Sequence, residues 1–201
     1  MDKKKVVVIG GGAGGFFAAI NLAESIPEVA VTILEKSNHV LGKVKVSGGG
    51  RCNVTHACFV PKDLVNFYPR GNKELLGPFH QFMTGDTMEW FENRGVQLKI
   101  EDDNRVFPTS NSSQSIIDCF LGETKRLGIA LKKNCGVTEI TKTLKKWEVK
   151  TSFGMLEADA VVVASGSSKL MWGILEKLGH TIVEPIPSLF TFNTKDTRLR
   201  D

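Results

Sequence analysis

Short apolar runs recur along the chain, and three of them are rich in β-branched residues. They are VVVI at residues 6–9, VAVTIL at 29–34 and AVVV at 160–163. Unbroken runs of this length are typical of strands that are buried on both faces, as in a parallel sheet. The intervening segment FFAAINLAESI has helical periodicity, so the chain is predicted to begin with a strand–helix–strand unit.

The middle of the chain has a different pattern. Residues 73–94 have helical spacing, and VQLKIEDDNRVFPT predicts a hairpin. Residues 111–128 begin with cap-type residues and predict a helix with Ile116, Ile117, Phe120 and Leu121 on one face. Residues 129–163 are almost entirely β-forming, and about 136–158 predict a meander before the last buried strand. The pattern therefore predicts an α/β fold with a parallel sheet, in which a β-meander replaces one crossover helix.

Composition places the chain among ordinary globular proteins. It has 201 residues, of which 41% are hydrophobic, and its net charge is +4. The lysines are scattered in short groups, which predict a solvated face and no nucleic-acid partner. No apolar stretch approaches the roughly 18 residues of a membrane span, and no secretory signal is recognisable. Four cysteines without a C-x-x-C pair favour reduced thiols, a cytoplasmic location and no metal site.

The glycines after the first strand have the spacing Gly10-x-Gly12-x-x-Gly15. In this context the first glycine allows a tight turn, the second lets a pyrophosphate approach the backbone, and the third lets the helix pack closely. Ala13 and Gly14 would present N–H groups at the helix N-terminus. Glu35 ends the second strand, with Lys36 beside it, and is placed to accept hydrogen bonds from an adenosine ribose.

A second glycine run comprises Gly48, Gly49 and Gly50 and is followed by Arg51, Cys52 and Asn53. Three adjacent glycines can turn successive N–H groups toward an anion, although a simple flexible loop fits the same sequence. Arg51 could offset charge on a flavin or orient an acidic substrate, or equally bind a phosphate or carbonyl. The fingerprint does not distinguish NAD from FAD, but the meander argues against an ordinary NAD dehydrogenase domain.

The motifs together resemble a known family, the BaiN-type bacterial flavoproteins within the glutathione-reductase-like superfamily. The resemblance rests on Gly10 to Gly15, the run S-G-G-G-R-C-N from Ser47, the hairpin R-V-F-P from Arg105, and Ala164-Ser165-Gly166, in that order. It implies a Rossmann-like FAD-binding domain, with NAD(P)H as electron donor and an organic acceptor such as an enone.

Site residues follow from the resemblance position by position. Gly10, Gly12, Gly15 and Glu35 would hold the pyrophosphate and ribose of FAD, and residues 48–53 would run beside the phosphates toward the flavin ring. Val137 would contact the adenine through its backbone. Ala164, Ser165 and Gly166 would form the turn near the pyrophosphate, with serine in place of the family's threonine. No catalytic side chain is assigned, because the substrate pocket would be built largely by an inserted domain.

The family's length sets an expectation about domains. Members are about twice as long, so the chain is expected to be a truncated N-terminal portion that is inactive alone and prone to self-association. Residues 1–187 are predicted to form the FAD-binding domain, with a helical and hairpin excursion at about 60–110. Residues 188–201 are predicted to begin the inserted domain.

Two other functions fit the same residues. The stretch from Cys52 to Cys58 loosely resembles the redox disulfide of thiol–flavin enzymes, but five residues separate the cysteines where those enzymes have four. A non-catalytic dinucleotide-binding or sensor domain would share the glycine motif without turnover.

Overall fold

The computed structural model describes residues 3–186 of the chain. The chain divides into two compact units, residues 1–168 and residues 169–201. Every strand of the described residues lies in the first unit, and the second contains one described helix. The predicted domain boundary at residue 187 and the predicted start of an insertion lie outside the described residues and stay predictions.

The described residues form ten strands and seven α-helices. The strands are β1 (Lys4–Ile9), β2 (Val29–Leu34), β3 (Thr55–His56), β4 (Leu98–Ile100), β5 (Arg105–Pro108), β6 (Ala130–Lys132), β7 (Val137–Lys142), β8 (Trp147–Thr151), β9 (Gly154–Ala158) and β10 (Ala160–Val163). The helices are α1 (Ala13–Ser25), α2 (Gly42–Val46), α3 (Pro61–Leu64), α4 (Asn72–Phe79), α5 (Thr84–Glu92), α6 (Ser113–Arg126) and α7 (Lys169–Lys177).

A four-stranded parallel sheet with the order β10-β1-β2-β6 is the centre of the first unit. Val8 of β1 pairs with Val162 on one side and Ile33 on the other. Val8 and Ile33 are fully buried, because the strands are covered on both faces. The prediction of a parallel sheet built from the three β-branched runs is confirmed.

Two small antiparallel sheets interrupt the parallel order. The sheet β3-β5-β4 lies within the long connection from β2 to β6 and contains the predicted hairpin, whose turn places Asn104 at a φ of +63°. The sheet β7-β8-β9 is the predicted meander, and it connects β6 to β10 in place of a helix. The predicted α/β fold with a meander crossover is therefore confirmed.

Helices α1 and α6 build the core beneath the sheet. Phe16 of α1 lies 5.9 Å from Phe120 of α6, measured between ring centroids. Ser112 caps α6 by accepting a hydrogen bond from the Gln114 N–H group. None of the helices between residues 3 and 186 combines the length and the apolar composition that a membrane span requires.

The starts of helices α2 and α5 are defined by local geometry. The short helix α2 begins after Leu41, which has the left-handed conformation at a φ of +57°. Helix α5 begins at Thr84. The Asp86 carboxylate there accepts a hydrogen bond from the Met83 N–H group, which anchors the helix start.

We expect Gly15→Ala to destabilise the fold by about 3 kcal/mol, because the new methyl group would overpack a rigid backbone contact. A Cβ at Gly15 would lie 1.9 Å from the Gly10 carbonyl oxygen. Gly14→Ala is the matched control, since its Cβ would meet only the Ala164 Cβ at 4.0 Å. Urea unfolding of both variants checks the prediction, and equal stability of the two would contradict it.

Candidate dinucleotide-binding site

The turn between β1 and α1 is made of glycines that the backbone packing requires. Gly10 has a φ of +117°, and a Cβ there would lie 2.4 Å from the Ala164 carbonyl oxygen. Gly15 lies directly against Gly10. A Cβ at Gly12, in contrast, would meet nothing within 4 Å. Protein atoms therefore leave no room for a side chain at Gly10 or Gly15, whereas the space beside Gly12 is open.

Gly12 faces a cleft of about 600 Å³, which we call the dinucleotide cleft. It lies at the carboxyl ends of the parallel strands, the edge where open α/β sheets bind ligands. The N–H groups of the first turn of α1 have no partners within the helix and can bind an anion there. The cleft is lined by residues 10–14, 35, 37, 39, 41–44 and 164–166.

Glu35 lies at the end of β2, and its carboxylate connects two backbone segments in the wall of the dinucleotide cleft. Its Oε2 atom accepts a hydrogen bond of 2.8 Å from the Gly11 N–H group, and Oε1 accepts one of 2.9 Å from the Ser37 N–H group. A carboxylate has about four acceptor positions. Glu35 can therefore serve the protein backbone and still accept from a ligand hydroxyl.

Lys43 is a cleft residue that the sequence interpretation missed. Its Nζ atom donates a hydrogen bond of 3.0 Å to the hydroxyl of Ser167, the residue after the cleft residue Gly166. An ammonium group at this position would stabilise a bound pyrophosphate. A lone lysine gave no sequence signal for this role, because its position depends on helix α2, which the sequence analysis did not predict.

The second glycine run makes a tight reversal of the chain. Gly48, Gly49 and Gly50 all have positive φ, and a Cβ at Gly48 would lie 2.7 Å from the Phe107 ring. Cys52 has a φ of +64°, and its N–H group donates to the Ser47 carbonyl. Residues 48–51 do not line the dinucleotide cleft, so their contact with a cofactor stays a prediction.

The Arg51 side chain lies against the β3-β5-β4 sheet. Its Nη1 atom is 2.6 Å from the Glu101 carboxylate, and its guanidinium carbon is 3.9 Å from the centre of the Phe107 ring. Arg105 is paired with Asp103 at 2.6 Å, as expected for an arginine beside an acidic turn. The Arg51 guanidinium is therefore paired with protein groups in this structure. Its contact with a flavin or a substrate stays a prediction.

The remaining predicted residues lie in different places. Ala13, Gly14, Ala164, Ser165 and Gly166 line the dinucleotide cleft, and their contact with a cofactor stays a prediction. Gly15 is buried beneath it. Lys36 and Val137 are not among its lining residues, although the Cys135 N–H group bonds the Glu35 carbonyl nearby. Contact of Lys36 and Val137 with a cofactor stays a prediction.

A second cavity of about 440 Å³ adjoins the dinucleotide cleft. We call it the phenylalanine cavity, because Phe17, Phe82, Phe91 and Phe120 line it. Cys52 and Asn53 line this cavity and not the cleft. The two cavities have four lining residues in common, Ala13, Gly14, Lys43 and Val44.

The cysteines are free thiols in the structure. Cys52 is buried, and burial raises the pKa of its thiol more than a hydrogen bond with Ser47 lowers it. A protonated thiol is a poor nucleophile for disulfide exchange. Among residues 3–186, no three histidine, cysteine, aspartate or glutamate side chains converge as a metal site would require.

The fold and the cleft define the class of protein: this is an α/β Rossmann-like FAD-binding fold. The family model described as "HI0933-like protein Rossmann domain" matches residues 4–193, so the chain belongs to the HI0933-like family of FAD-dependent oxidoreductases. The resemblance to BaiN-type flavoproteins is thereby confirmed.

Relatives with known names support the family and the fold. The chain is 26% identical over 186 residues to the 3-dehydro-bile acid delta(4,6)-reductase of Clostridium scindens. That match covers 89% of this chain but only 44% of the reductase. Among solved structures, Thermovibrio ammonificans THI4 has a TM-score of 0.56 at 13% identity, over 87% of this chain and 62% of THI4. Glycine oxidase from Geobacillus kaustophilus has a TM-score of 0.54 at 16% identity, over 90% and 60% of the two chains.

We expect Cys52 and Cys58 not to form a disulfide during oxidation and reduction. The buried Cys52 thiol should react with iodoacetamide more slowly than Cys58 in the native protein, because its raised pKa keeps it protonated. Mass spectrometry of the alkylated peptides measures both rates, with the Cys58→Ser variant as control. Loss of two thiols on oxidation and their recovery on reduction would instead support a thiol–disulfide enzyme.

Proposed function

We propose that the chain binds FAD in the dinucleotide cleft and is the FAD-binding part of an oxidoreductase. The observation that carries the proposal is the open position at Gly12, between two glycines that are closely packed. No protein atom fills the space beside Gly12, so a pyrophosphate can approach the backbone there. The position faces the first turn of a 13-residue helix, where a pyrophosphate is stabilised.

The residues of the dinucleotide cleft fit the parts of FAD in order. Glu35 and Ser37 lie at the end where the adenosine ribose would bind, and the Glu35 carboxylate retains acceptor positions for ribose hydroxyls. Gly12 and Gly14 would face the pyrophosphate. Lys43 would exchange its hydrogen bond with Ser167 for one with a phosphate oxygen.

The proposed reaction is hydride transfer from NAD(P)H to an organic acceptor such as an enone. FAD, when bound, supplies the two-electron redox chemistry, and the protein's part is to bind and orient it. The Clostridium scindens relative is named as a reductase of 3-dehydro-bile acids, which supports an acceptor of this kind. A domain that binds FAD without turnover is the competing function.

Titration with FAD, followed by anaerobic addition of NADH or NADPH, tests the proposal. We expect FAD to bind and its visible absorbance to be bleached by a reduced nicotinamide. Binding without bleaching would favour the non-catalytic domain. Failure to bind FAD at all would remove the main proposal.

We expect Gly12→Val to reduce FAD affinity at least tenfold without unfolding the protein. The valine would project into the cleft, where a Cβ meets no protein atom within 4 Å. Gly122→Val is the control, since a Cβ at Gly122 also meets nothing within 4 Å and Gly122, in α6, lies outside the cleft. Calorimetric titration measures the affinities, and equal values for both variants would reject this position of the pyrophosphate.

Glu35→Ala should weaken FAD binding about ten- to a hundredfold, the effect of losing a charged hydrogen bond worth roughly 1.5–3 kcal/mol. Glu35→Gln keeps one oxygen acceptor and should show an intermediate loss. Thermal melts of both variants measure whether losing the Gly11 and Ser37 contacts destabilises the protein. A weaker FAD affinity without a lower melting temperature is then assigned to the lost ribose contact. A change below about twofold would mean that Glu35 acts on the protein backbone alone.

A further inference from the structure

We propose that an exposed aromatic patch is the interface of a dimer formed by two copies of this chain. The aromatic patch consists of Phe59, Val60, Phe67 and Tyr68, which lie before and after α3 along the chain. It lines neither the dinucleotide cleft nor the phenylalanine cavity, so the inference goes beyond the proposed function. The length of family members led us to expect self-association, and the aromatic patch supplies a surface for it.

The rings of the aromatic patch are grouped and open to water. Phe67 is 61% exposed, Phe59 is 53% exposed and Tyr68 is 40% exposed. The Phe67 ring lies 4.5 Å from the ring of His56, and the Tyr68 ring lies 5.5 Å from that of Phe79. Single exposed apolar residues are common on protein surfaces, but a group of neighbouring ones marks an interaction surface.

Helix α4, which follows the aromatic patch, gains little from packing within its own chain. None of its eight residues is buried, two of them are the poor helix formers Gly77 and Pro78, and no side chain caps its start at Gly71. A helix this short is marginal in water unless packing stabilises it. Contact with a second copy would supply the burial that α4 lacks.

The exposed rings supply a large part of the area that a dimer needs. An aromatic side chain buries roughly 150–250 Å², so the exposed parts of these three rings present about 300 Å² per copy. Two copies would bury about 600 Å² from the rings alone, and stable interfaces begin at about 1,200 Å² in total. The remaining area would come from Val60 and from the flanking surfaces of α3 and α4.

The charges around the aromatic patch favour a second copy over a partner of a single charge sign. Lys62 and Asp63 are neighbours in α3, and Lys73 and Glu74 are neighbours in α4. None of these four side chains makes an ion pair within residues 3–186. In a two-fold interface both copies present the same surface, so the bases of one copy can pair with the acids of the other. A nucleic acid or a strongly acidic protein would be repelled by half of these groups.

The oligomeric state of the full chain in solution tests the proposal. Light scattering at about 100 µM should give the mass of a dimer, because interfaces of this kind have dissociation constants of micromolar or below. Phe67→Glu would place two like charges in the interface and should weaken association at least tenfold. Phe153→Glu is the control, since Phe153 is 75% exposed between β8 and β9, outside the aromatic patch, and should leave the dimer intact. Circular dichroism checks that both variants fold.

Reversing the charges tests the identity of the partner without changing the rings. Lys62→Glu combined with Lys73→Glu makes the surroundings of the aromatic patch acidic, and Asp63→Lys combined with Glu74→Lys makes them basic. Each double variant alone should associate at least tenfold more weakly, because like charges would face each other. An equimolar mixture of the two should form a dimer again, which is the result specific to a second copy.

Three results would overturn the proposal. They are a monomeric chain at the stated concentration, a dimer that Phe67→Glu and Phe153→Glu weaken equally, and a mixture of the charge-reversed variants that stays monomeric. FAD titration of the same variants separates this proposal from the proposed function. Loss of the dimer with unchanged FAD affinity would support the interface, and a dimer without any FAD binding would support it while removing the proposed function.

Discussion

The close contact between Gly10 and Gly15 fixes the geometry on which the site depends. A Cβ at Gly15 would come within 1.9 Å of the Gly10 carbonyl, so helix α1 can lie on the end of β1 only if residue 15 has no side chain. The Gly10 N–H group bonds the Leu34 carbonyl, and a Cβ at Gly10 would collide with Ala164. One glycine turn therefore sets the positions of β2, β10 and the N-terminus of α1, which together bound the dinucleotide cleft.

A cluster of charged and aromatic residues holds the helices that build the phenylalanine cavity. The Arg94 guanidinium bonds Glu24 of α1, lies 3.4 Å from Glu123 of α6, and stacks 3.9 Å from the Trp90 ring of α5. Hydrogen bonding by Arg126 holds the pKa of the Glu123 carboxyl below its ordinary value. The contribution of this carboxylate to stability is present above its unfolded pKa and is lost as the pH falls through the lowered pKa of the folded state. The cavity walls are thus joined by ion pairs as well as by packing.

The sequence predicted those parts of the fold that have strong local signals. Runs of β-branched residues gave β1, β2 and β10, and the glycine spacing placed the turn before α1. The direction of Arg51 could not be predicted, because it depends on Glu101 and Phe107, which lie about fifty residues further along the chain. The phenylalanine cavity was missed for the same reason, since its rings come from segments between Phe17 and Phe120 that only the tertiary fold brings together.

Helix α2 separates a polar cleft from an apolar cavity with only five residues. Lys43 extends its ammonium to the Ser167 hydroxyl, whereas its neighbour Val44 is 8% exposed and belongs to the core. Both residues nevertheless line both cavities. One short helix therefore contributes a charged side chain and an apolar side chain to two adjoining spaces, and the close packing of the core around Val44 fixes the position from which Lys43 extends.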